Sequence, residues 1–73
     1  MKNKVFTFKH VDPDYDQHNF ALVISDSKQS AGELFISEMN HRGYKWMKNT
    51  NSYTCECIGE SDKDDCVVYI EYA

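Results

Sequence analysis

The stretch "SDSKQSAGELFISEMNHRG", residues 25–43, decides the fold. Ala31, Leu34, Phe35, Glu38 and Met39 fall at helical spacing, and all but Glu38 are apolar. Such a stripe predicts an amphipathic helix with one face to cover. Ser30 and Glu33 match a capping box, while Asp26 or Ser27 would start the helix one turn earlier. Arg42 stands at the negative end of the dipole, and Gly43 suits the left-handed position that follows a helix.

Outward from the helix the period changes to two. "KVFTFKHV" (4–11) sets Phe6, Phe8 and His10 against Val5, Thr7, Lys9 and Val11, as in a strand with one buried face. Pro13 ends it. "NFALVIS" (19–25) is almost continuously apolar, which suits a central strand or one covered on both faces. After the helix, "YKWMK" (44–48) puts Tyr44 and Trp46 on one side of a further strand, and "NTNS" is turn chemistry. "YTCECI" (53–58) sets Tyr53, Cys55 and Cys57 against Thr54, Glu56 and Ile58. "CVVYIEYA" (66–73) sets Cys66, Val68, Ile70 and Tyr72 against Val67, Tyr69 and Glu71.

The expected order is β-β-α-β-β-β, with short loops joining the flanking strands as antiparallel hairpins. One helix on one face of one sheet gives an α+β fold, a two-layer domain with a mostly antiparallel sheet. The 73 residues make a single domain, 1–73, of marginal size, without repeats or linkers.

Charge and composition exclude several function classes. Twelve acids against eight bases leave a net charge of −4. Nucleic-acid binders rely on Lys and Arg contacts to phosphates. Here Arg42 is the only arginine and the lysines are scattered, so direct nucleic-acid binding and docking to anionic membranes are both disfavoured. A basic protein partner is better matched. No stretch approaches transmembrane length. The opening "MKNKVFTFKHV" alternates polar and apolar residues, unlike a signal-peptide core, so the chain reads as cytoplasmic. Three cysteines, an odd count, fit that reading and argue against a disulfide framework.

Several residue groups could carry chemistry. Asp12, Asp14 and Asp16 imitate the start of an EF-hand calcium loop, but Gln17 stands where a glycine is needed and Val23 where a bidentate glutamate is needed. Cys55, Cys57, Cys66 and His41 are zinc-ligand types, yet the single-residue spacing of the first pair does not make a knuckle. Cys66, on the following strand, could still come near that pair. Buried apolar thiols are the simpler reading. No thiol or hydroxyl is tied locally to His10, His18 or His41, and the three glycines make no phosphate loop, so no catalytic residue is assigned and an enzyme is not expected.

Two acidic loops remain: Asp12, Asp14, Tyr15 and Asp16 in one, Glu60, Asp62, Asp64 and Asp65 in the other. Together they concentrate negative potential that would steer a Lys- or Arg-rich partner. Acids also populate turns for local hydrogen-bonding reasons alone. Tyr44, Tyr53, Tyr69, Tyr72 and Trp46 outnumber what one helix can cover, and rings left on an open sheet face have the composition of a protein-binding hot spot.

"ELFISEMNHRGYKWMKN" (33–49) resembles the helix-to-strand junction of several families of very small bacterial and phage proteins, with Asn40, Gly43, Tyr44 and Trp46 in the matching places. That resemblance implies fold rather than function. In size, charge and architecture the chain also resembles phage-encoded anti-defence proteins, anti-CRISPR proteins in particular. This second likeness implies an inhibitor working in a host bacterial cytoplasm, where it occupies a basic, nucleic-acid-binding surface of an effector. Asp12, Asp14, Tyr15, Asp16, Glu60, Asp62, Asp64, Asp65, Tyr44 and Tyr53 would be its contact residues. No cofactor is expected. The alternatives are a small zinc- or calcium-responsive protein, or a homodimeric structural or regulatory domain.

Overall fold

The computed structural model describes residues 2–12 and 18–71. Four strands and one helix follow in the order β1 (Asn3–His10), β2 (Phe20–Ser25), α1 (Lys28–His41), β3 (Tyr53–Ser61) and β4 (Cys66–Glu71). The strands form one antiparallel sheet in the order β3-β1-β2-β4. The α+β class therefore stands, with α1 on one face of the sheet.

Two expectations about the strands are corrected. The segment 44–48 is not a strand. Gly43, at φ 102°, ends α1 in a Schellman motif: its N–H donates to the Asn40 carbonyl at 3.1 Å, and the Tyr44 N–H donates to Met39 at 3.0 Å. The Asn40 side chain then donates to the Met47 carbonyl at 3.1 Å and folds the segment back on the helix. Met47 is buried in the core while Trp46 is 57% exposed, so burial here follows a turn and not an alternation.

The second correction concerns the last two strands, which do not form a hairpin. The β1–β2 hairpin takes the centre of the sheet, and β3 and β4 add to its two free edges. The link 62–65 must cross the ends of both inner strands. Three spacings of about 4.8 Å make roughly 14 Å, which so short a link spans only when nearly extended. Asn3 Nδ2 holds it by donating to the Lys63 carbonyl at 2.8 Å, and the Ser25 hydroxyl by donating to Asp65 Oδ2 at 3.4 Å.

The helix begins a turn before the Ser30–Glu33 capping box. Ser27 is the cap, and its hydroxyl accepts from the Ser30 N–H at 3.1 Å. Ala31, Phe35 and Met39 are buried against Phe6, Phe8, Ala21, Val23 and Ile70. Phe35 is the centre of this layer, its ring 5.1 Å from Phe8 and 5.0 Å from Tyr53. No helix among the described residues is long and apolar enough to cross a membrane.

Candidate functional site

Directly opposed residues in an antiparallel ladder share a face, so the registers divide the sheet's side chains in two. Toward α1 lie the rows Cys55–Phe8–Ala21–Ile70 and Cys57–Phe6–Val23–Val67. On the other face lie Thr54–Lys9–Phe20–Glu71, Glu56–Thr7–Leu22–Tyr69 and Gly59–Val5–Ile24–Cys66. The alternation expected of β1 and β2 therefore holds. That of β4 fails at Val68, which a bulge inserts between the pairs Leu22–Tyr69 and Val23–Val67. Val67 and Ile70 consequently turn toward the helix, and Tyr69 turns away. A second bulge leaves Ile58 as the extra residue between Cys57 and Gly59. Both bulged residues are exposed.

No element of the described chain covers the second face. Its middle is half-buried Val5, Phe20 and Leu22 around buried Thr7 and Ile24, with Tyr69 51% exposed beside them. The Phe20 and Tyr69 rings lie 6.4 Å apart. Exposed Lys9, Thr54, Glu56 and Glu71 make a polar rim around this stripe.

The acidic loops fall at opposite ends of the strands. Asp12 is exposed at the β1–β2 turn, while Asp14, Tyr15 and Asp16 lie outside the described residues. Glu60, Asp62, Asp64 and Asp65 are exposed at the other end, where Asp26 joins them by following Ser25. One patch built from both loops is therefore not what the topology provides. Lys63 and Lys4 also stand at the second end and offset part of its charge.

Tyr44 and Tyr53, read from the sequence as contact rings, are half-buried and packed on the core. The Tyr44 ring lies edge-on to His18 at 4.4 Å, and Tyr53 lies edge-on to His10 at 5.0 Å. His18 is buried, and that burial, with Arg42 beside it, holds its pKa below the ordinary histidine value. Among the described residues the exposed rings are instead Tyr69 and Trp46. Tyr69 lies opposite Ile70 as the alternation of β4 predicts, and the bulge at Val68 separates it from Val67, which the same alternation put on its side. Placing Trp46 requires the turn that replaces its strand.

The cysteines are spread over both edges of the sheet. Cys55 and Cys57 lie on β3 and Cys66 on β4, with β1 and β2 between them, and none forms a disulfide. The strand order thus closes the possibility, left open by the sequence, that Cys66 comes near the β3 pair. Burial raises the Cys55 thiol pKa, against the pull of Lys28. Among the described residues no group of three or more His, Cys, Asp or Glu side chains is placed to hold a metal ion.

A hollow of about 380 Å³ opens at the hairpin end of the sheet, lined by His10, Trp46, Lys48, Asn49, Ser52 and Tyr53 over buried Met47. The Asp12 N–H donates to His10 Nδ1 at 3.0 Å. Comparison with protein-family models, with curated proteins and with solved structures finds no match to this chain.

Proposed function

We propose that the protein is a non-enzymatic binding module that docks the helix-free face of its sheet on a basic partner protein. The observation that carries this reading is the half-buried stripe Val5, Phe20 and Leu22 with exposed Tyr69, ringed by polar side chains on the face opposite α1. An apolar centre with an aromatic anchor and a polar rim is the anatomy of a protein interface. The net charge of −4 and the exposed carboxylates Glu56, Glu71, Asp62, Asp64 and Asp65 favour a partner rich in Lys and Arg. A surface that binds nucleic acid has that chemistry, so the module would compete with nucleic acid for it, as an anti-defence inhibitor does.

Affinity capture from bacterial lysate tests the reading, with Tyr69→Ala and the triple variant Asp62→Asn, Asp64→Asn, Asp65→Asn run in parallel. The expected result is a basic, nucleic-acid-binding protein whose retention falls with Tyr69→Ala, with rising salt and with added nucleic acid. A captured protein indifferent to all three would overturn it.

A further inference from the structure

We propose that the hollow at the hairpin end of the sheet binds a planar aromatic anion of mononucleotide size. Its volume of about 380 Å³ lies within the range of small-molecule sites, about 300–1,000 Å³. Three features select the ligand.

The first is a stacking surface. Trp46 is 57% exposed on the wall of the hollow, and Tyr44 meets it at 84° and not face to face. An indole held this way offers a flat ring a partner without sequence or side-chain adaptation. The second is charge. Lys48 stands in the same wall, exposed, and no carboxylate pairs with it among the described residues. One ammonium beside one indole selects an anion and disfavours a cation, which an aromatic wall alone would accept. It also matches one phosphate and not a chain of them, in keeping with the acidic character of the protein.

The third is preorganisation. The Ser52 carbonyl accepts from the Val11 N–H at 2.9 Å, the Tyr53 N–H donates to Thr50 at 3.0 Å, and Asn49 Oδ1 accepts from the Asn51 N–H at 2.9 Å. These bonds fix the polar side of the hollow before any ligand arrives, and the Asn49 amide N–H groups remain as donors. A second hollow, of about 520 Å³, lies along α1 near Gly32. Lys28 and Lys48 outnumber Glu33 in its lining, but it has no aromatic side chain and so supplies no stacking surface.

Trp46 is the only tryptophan in the chain, and its fluorescence therefore reports on this site alone. Titration of the full chain with adenosine monophosphate should quench it along a saturating curve. Adenosine, and adenosine monophosphate added to Lys48→Gln, should each bind about two- to fivefold more weakly, the range of an exposed ion pair. Inorganic phosphate alone should leave the emission unchanged. Amide shift mapping of Trp46→Ala with the same nucleotide should show the perturbations around residues 46–53 lost. Quenching that rises without saturation, equal affinity for adenosine and its monophosphate, or shifts that survive Trp46→Ala would overturn the proposal.

Discussion

The Tyr53 hydroxyl donates to the backbone carbonyl of His18 at 2.8 Å and joins the first residue of β3 to the approach to β2, 35 residues away in the chain. Its ring packs edge-on against Phe35, so Tyr53→Phe keeps the packing and removes only the hydrogen bond. A bond of this kind contributes about 0.5–1.5 kcal/mol. Urea unfolding should show a lower midpoint with an unchanged slope.

His18 couples this region to pH. Its pKa is lowered in the folded protein from an ordinary value of 6.5, first by burial and then by Arg42. The unfolded chain thus takes up a proton that the folded protein refuses. The contribution to stability is complete above pH 6.5 and is lost as pH falls through and below that value. Thermal unfolding between neutral and mildly acidic pH should show a declining midpoint, and His18→Asn should flatten the decline.

Two glycines should respond to alanine in opposite directions. Gly32 lies inside α1, and an added Cβ would meet Thr50 Cγ2 at 3.7 Å, an ordinary contact. Gly32→Ala should therefore stabilise the protein by up to about 1 kcal/mol through helix propensity. Gly43 sits at φ 102°, where a side chain is strained even in open space. Gly43→Ala should cost about 1 kcal/mol. Thermal midpoints of the two variants, measured side by side, check the opposite signs.

Interactions within one element can be read from the residues, and those between elements cannot. The stripe Ala31, Phe35 and Met39 and the alternation of Phe6 and Phe8 are local patterns, and both survive in the fold. Strand order is different, because closeness in sequence favours pairing the last two strands while the hairpin at the centre leaves each a separate edge. The bulge at Val68 separates Tyr69 from Val67, which the alternation put on its side. "YKWMK" has the composition of a strand, yet Asn40 draws Met47 inward through a hydrogen bond that no periodicity encodes. The same limits apply to the sites. The surplus of rings is legible in the composition, but which rings remain outside depends on strand order and on the turn after α1.

The placement of Cys55 and Cys57 makes a last prediction about reactivity. Both lie on β3, separated by Glu56, but Cys55 is half-buried against the core while Cys57 is exposed. Only the thiolate reacts with an alkylating agent. Burial raises the Cys55 pKa, so its thiolate fraction at neutral pH is depressed as well as sheltered. Brief treatment of the native protein with iodoacetamide, followed by peptide mass mapping, should label Cys57 well ahead of Cys55. In denaturant the shelter disappears and the two rates should converge. Equal labelling in the native state would mean that the Cys55 side chain does not pack against the core.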